Sequence, residues 1–93
     1  MARRPLEHEL AENLKMTEFN FVPRGEILLE SIYELVQRQY PNLCDDEYLC
    51  SDHCIAGMNQ PEWKHVVRGV LDNLRKHAGP VNKSPQRNYW TFN

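Results

Sequence analysis

Cys44, Cys50 and Cys54 fall within eleven positions, and His53 stands beside the last of them. Thiolate and imidazole ligands at such short spacing can hold a tetrahedral zinc ion, and a chain of 93 residues has a small core that would gain from one. The pattern Cys-x5-Cys-x3-Cys lacks the Cys-x2-Cys knuckle of common zinc modules. His53 and Cys54 are adjacent and point in different directions, so His65 and His77 are alternative fourth ligands. The competing reading makes all three cysteines small apolar side chains half-buried under the helices. An odd number of cysteines argues against a secreted disulfide framework and for a reducing, cytoplasmic setting.

Two further constellations suggest catalysis and fail on context. Glu62-Trp63-Lys64 matches the Glu-x-Lys half of a magnesium nuclease site, but such a site places these residues on a strand beside a separate Asp. Here they open an amphipathic helix, where Glu62 serves better as a capping residue. A Cys–His nucleophilic pair has neither a Gly-rich oxyanion loop nor a third orienting group to support it. With no phosphate loop and no dinucleotide fingerprint either, the sequence predicts no enzyme.

The chemistry that remains is phosphate binding. The formal net charge is −2, yet the charge is unevenly spread. Residues 1–58 carry five basic against eleven acidic side chains, a formal −6. Residues 59–93 carry six basic (Lys64, Arg68, Arg75, Lys76, Lys83, Arg87) against two acidic (Glu62, Asp72), a formal +4. One end of the domain should therefore attract phosphate and the rest repel it. The alternative is a solvated basic helix and nothing more.

Those cations need elements to position them. Trp63, Val66, Val67, Val70, Leu71 and Leu74 recur at three- and four-residue spacing and form one apolar stripe; Lys64, His65, Arg68, Asp72, Arg75 and Lys76 lie opposite. Asn59 is expected to cap this helix, with Pro61 in its first turn and Glu62 closing a capping box, and Gly79-Pro80 to end it. Val81–Lys83 and Tyr89–Phe92 then read as two strands around a polar, basic turn. Alternation sends Trp90 and Phe92 to one face of that hairpin, Tyr89 and Thr91 to the other.

Upstream, Leu6, Leu10 and Leu14 after Pro5 predict a short helix. Phe19–Val22 alternates with period two, as a short strand or extended arm would. Ile27, Leu28, Ile32, Leu35 and Val36 predict a helix from about Arg24 to Tyr40, ended by Pro41. Asp45–Leu49 suggests a brief helix with acids in its first turn, and Gly57 a turn. We divide the chain into residues 1–22, an N-terminal helix and arm, and residues 23–93, the domain proper. No stretch has the length or apolarity of a membrane span or a signal-peptide core.

A helix with one apolar and one cationic face can lie in a major groove roughly 12 Å wide. On that reading Gln60, His65 and Arg68 approach base edges, and the amides of Asn59 and Gln60 suit adenine. Lys64, Arg68, Arg75, Lys83 and Arg87 neutralise phosphates. The hairpin tip, with Lys83, Ser84, Gln86 and Arg87, reaches phosphate or the neighbouring minor groove.

The run Asn59-Gln60-Pro61-Glu62-Trp63-Lys64-His65-Val66-Val67-Arg68 is followed by Leu71, Leu74, Gly79-Pro80-Val81 and the closing Arg87-Asn88-Tyr89-Trp90-Thr91-Phe92. Over residues 24–92 this pattern resembles the winged helix-turn-helix modules attached to restriction endonucleases, of the Mrr-like N-terminal kind. The resemblance implies an α+β domain of three to four helices with a C-terminal β-hairpin wing. It further implies binding to double-stranded, in some cases modified, DNA within a restriction-modification or related defence or regulatory system. Matched by position, it supports Lys64, His65 and Arg68 on the recognition helix and Lys83 and Arg87 on the wing. No nuclease domain accompanies the module, so cleavage would belong to a partner protein or to a longer enzyme. A second expectation, of another class, is a protein-interaction adaptor that docks through Tyr89 and Trp90.

Overall fold

Pro5 stands at the first position of α1 (Pro5–Thr17), where its fixed φ suits a helix and its missing N–H costs nothing. The computed structural model describes residues 5–49, 60–77 and 81–93. Beyond α1 these form β1 (Gly25–Leu28), α2 (Leu29–Gln39), α3 (Glu62–Lys76), β2 (Val81–Lys83) and β3 (Tyr89–Phe92). The protein is thus a small α+β structure with three helices and one antiparallel sheet of order β1-β3-β2 among the described residues.

Leu10, Ala11 and Leu14 repeat at helical spacing and are buried, as is Glu7. The chain leaves α1 through Glu18 and Phe19, both in the left-handed region at φ 51° and 56°. That conformation is costly for residues with a Cβ. Its return is the placement of Phe19, 1% exposed, with its ring 6.0 Å from Phe21 and 6.1 Å from Phe92. Phe19–Val22 is therefore neither strand nor extended arm. It is a set of tight turns in which the Asn20 N–H donates to the Thr17 carbonyl and the Val22 N–H to the Phe19 carbonyl.

A second correction concerns the start of the next helix. Gly25 has φ 110°, outside the helical region and open to glycine alone at no cost. The following residues extend and pair with β3, Glu26 opposite Thr91, Ile27 opposite Trp90 and Leu28 opposite Tyr89. Ile27 and Leu28 fit the helical stripe by spacing, but the central strand offers them a ladder, and tertiary pairing wins over local period. α2 begins only at Leu29, whose N–H donates to the Asn88 carbonyl at 2.8 Å. It buries Ile32, Tyr33 and Val36 and ends before Pro41, as expected.

Asp45–Leu49 forms turns, not a brief helix. The Asp45 carboxylate accepts the Glu47 N–H at 3.0 Å, and such a local bond competes with helical pairing. The start of α3 also differs from expectation. Pro61 occupies the cap position with no side-chain cap, so Glu62 is the first helical residue and cannot close a capping box. The Glu62 N–H donates instead to the Tyr48 carbonyl at 2.8 Å. Asn59, Gly57 and the Gly79-Pro80 stop lie outside the described residues.

All six apolar residues of the α3 stripe are buried, together with Val81, Trp90 and Phe92 from the hairpin. They share one core with Leu10, Ala11 and Leu14 of α1. No helix among the described residues is long and apolar enough to cross a membrane.

Candidate nucleic-acid interface

Because α3 turns its stripe inward, its charged residues project outward along both flanks, and the two flanks differ. On the first, Arg68 meets the hairpin. Arg68, Asp72, Lys83, Ser84, Pro85, Arg87 and Asn88 line a cleft of about 700 Å³ floored by Leu29 and Trp90. Lys83 reaches the cleft from the end of β2, and Arg87 from the loop between β2 and β3. Asn88 takes the left-handed conformation at φ 67°, which asparagine tolerates well. The Ser84 hydroxyl donates to the Glu26 carboxylate of β1 and accepts the Gln86 N–H at 3.1 Å. Ser84 is buried and braces the loop through these bonds, while it also lines the cleft. Lys83 and Arg87 make no ion pair among the described residues, and both are exposed.

Arg68 is held differently. Its Nη1 donates to the Tyr33 hydroxyl and to Gln60 Oε1, each at 2.9 Å. Both of these acceptors are neutral, and the two bonds orient the guanidinium. Gln60 thus acts on Arg68, and it also lines a cleft of about 340 Å³ beside Arg87. Tyr33 was not among the residues singled out from sequence. It lies thirty-five positions from Arg68 on an amphipathic helix, and only the placement of α2 beside α3 brings it there.

The other flank is acidic. Lys64 lines a cleft with Glu30, Glu34, Gln37 and Asp46, floored by Tyr33 and Trp63. Its Nζ lies 5.2 Å from the Tyr33 ring centre and 5.7 Å from that of Trp63, a cation–π arrangement. Trp63 is itself fixed by its indole N–H, which donates to Asp46 at 2.8 Å, and by an edge-on contact with Tyr33. Lys64 therefore does not line the cleft of Arg68, Lys83 and Arg87, although the helical wheel puts it on the same face.

Near the end of α3, Asp72 bonds Arg75 at 2.5 Å and Lys76 at 3.2 Å. Hydrogen bonds from Arg75 and then Lys76 hold its carboxyl below the ordinary carboxylate value. All of these groups are 40–65% exposed, so the pairs are weak and exchangeable. Arg75 is thus engaged with Asp72 and does not line the basic cleft. His65 is half-buried on α3 and lines none of these clefts, and Gln86 is exposed at the loop tip.

Glu62 and Lys64 lie in the first turn of a helix and not on a strand. The hairpin's Trp90 is 7% exposed and Phe92 2%, so docking through Trp90 would require it to leave the core. Of the zinc candidates, Cys50, His53 and Cys54 lie outside the described residues. Among the described residues no group of three or more His, Cys, Asp or Glu side chains is arranged to hold a metal ion, with Cys44, His65 and His77 included. Zinc is thus unsupported. Cys44 is a buried thiol pushed up to about 12, first by burial and then by the Asp46 charge, and so stays neutral and unreactive near neutral pH. Compared with protein families, with curated proteins and with solved structures, the chain shows no match in any of the three.

Proposed function

We propose that this chain is a winged helix-turn-helix module that binds double-stranded DNA without catalysing a reaction on it. The observation that carries the reading is the convergence of Arg68 from α3, Lys83 from the end of β2 and Arg87 from the β2–β3 loop on one cleft. Three cations from α3 and the hairpin give a phosphate strand contacts on both sides, which a single basic helix would not. The element order supports the reading as well. A helix with a cationic outer face runs into a hairpin whose second strand, β3, also pairs with β1, an order that suits a wing beside a recognition helix.

The contacts sort by role. Lys83 and Arg87 bind backbone phosphate, and Arg68, oriented by Tyr33 and Gln60, reaches either phosphate or a guanine edge. Lys64 contributes little, because Glu30, Glu34 and Asp46 oppose any phosphate near it. The acidic first half of the chain limits the footprint to the basic cleft and keeps the surface from binding polyanions indiscriminately. Any cleavage, as the resemblance to restriction-associated modules implies, would come from a partner protein or from a nuclease domain of a longer enzyme.

Titration of a fluorescent generic duplex at several salt concentrations tests this. With about three phosphates neutralised, log affinity should fall with log salt at a slope near −2.7. Absence of binding at 50 mM salt, or binding indifferent to both Arg68→Ala and Arg87→Ala, would sink the proposal.

A further inference from the structure

Asp72 is out of place on the face it occupies. Along α3 it is the one carboxylate beyond the first turn, and it lines the cleft with Arg68, Lys83 and Arg87. A carboxylate there weakens attraction for phosphate. Its pairs with Arg75 and Lys76 are too exposed to give the fold much in return. Neither stability nor phosphate affinity accounts for it.

Base-edge chemistry does. A carboxylate only accepts hydrogen bonds. In the major groove, guanine offers N7 and O6 and thymine O4, all acceptors that repel it. Adenine offers its N6 amino group, but the neighbouring N7 is again an acceptor. Cytosine presents its N4 amino group with only the C5–H on its outer side, so an approach from that side meets no acceptor. A carboxylate flanked by phosphate-binding cations therefore excludes the backbone from its own position and favours cytosine there.

Resting on the DNA-binding reading above, we infer that Asp72 is a specificity-determining residue that accepts a hydrogen bond from a cytosine amino group in the major groove, while Arg68, Lys83 and Arg87 hold the flanking phosphates. Asp72→Ala removes the acceptor and the repulsion together. Asp72→Asn keeps the shape and adds a donor, which suits the N6–N7 edge of adenine.

The test is selection from a randomised duplex pool by the native protein and both variants, with thermal melts to confirm that each is folded. The native protein should enrich cytosine at one position by about tenfold. Asp72→Ala should lose that preference and bind generic duplex several-fold more tightly, and Asp72→Asn should shift it toward adenine. Native binding with no cytosine preference, or the same preference in all three proteins, overturns this inference and leaves the DNA-binding reading standing. No duplex binding by the native protein at low salt removes both.

Discussion

Two clefts flank α3, similar in their aromatic floors and opposite in charge. One sets Lys64 among Glu30, Glu34 and Asp46 over Tyr33 and Trp63. The other gathers Arg68, Lys83 and Arg87 over Leu29 and Trp90, with Asp72 as its single acid. The comparison teaches that a cation's contribution to a surface depends on the neighbouring element as much as on its own helix. Lys64 and Arg68 are one turn apart on α3, yet the first faces acidic α2 and the second faces the basic loop. Tyr33 stands between them, its ring under Lys64 and its hydroxyl bonded to Arg68.

The most severe way to break the comparison is to remove the floor. Trp63 is 1% exposed and ties α3 to both Tyr33 and Asp46. Trp63→Ala should cost about 3–5 kcal/mol, much of a small domain's stability, and a thermal melt followed by circular dichroism should show a largely lost transition. Charge removal on each side is the sharper contrast. Arg68→Ala and Arg87→Ala should each weaken duplex binding about tenfold, whereas Lys64→Ala should change it by about twofold or less. Equal losses for Arg68→Ala and Lys64→Ala in fluorescence anisotropy would erase the distinction between the clefts.

Smaller effects test the outer face between them. Gly69 is exposed in mid-helix, and a Cβ added there meets nothing within 4 Å. Gly69→Ala should stabilise the fold by roughly 0.5–1 kcal/mol, raising Tm by several degrees. If a duplex lies close against this face, the same variant should bind it less well, a combination that simple stabilisation does not produce. The smallest effect concerns Asp72. Its carboxyl is held below the ordinary value of 3.8, so its contribution is present above that pH and lost as pH falls through the depressed value. Because the group is exposed, Asp72→Asn should flatten the acid limb of the stability profile only slightly. A large change in acid unfolding would mean that the Arg75 and Lys76 pairs matter more to the fold than argued above.

How much of this was legible from sequence depended on how far each residue's partners lie along the chain. The stripe of α3 read correctly from Trp63 to Leu74, because six apolar residues at one period admit no other element. The inward turn of Trp90 and Phe92 followed from simple alternation. β1 was hidden, because Ile27 and Leu28 satisfy a helical pattern locally and are claimed by Trp90 and Tyr89 more than sixty positions away. Phe19 to Val22 looked extended because a tight turn can bury residues at strand-like spacing. In the site, the cations Arg68, Lys83 and Arg87 were visible as a charge cluster. Separating Lys64 from them required knowing that α2 packs its acids beside it. Tyr33 carried no signal beyond an aromatic in an amphipathic helix. Asp72 was visible opposite the apolar stripe, but its place in the hairpin cleft was not.

The brace formed by Ser84, Glu26 and Gln86 has a kinetic consequence. On the proposed DNA-binding reading, a loop tied to the strand beneath it holds Arg87 and the neighbouring Lys83 near their contact positions before a duplex arrives, so binding freezes out little extra motion. Loosening that tie with Ser84→Ala would leave Lys83 and Arg87 chemically intact yet searching. The resulting complex should form more slowly and dwell for less time, with every charge still in the chain.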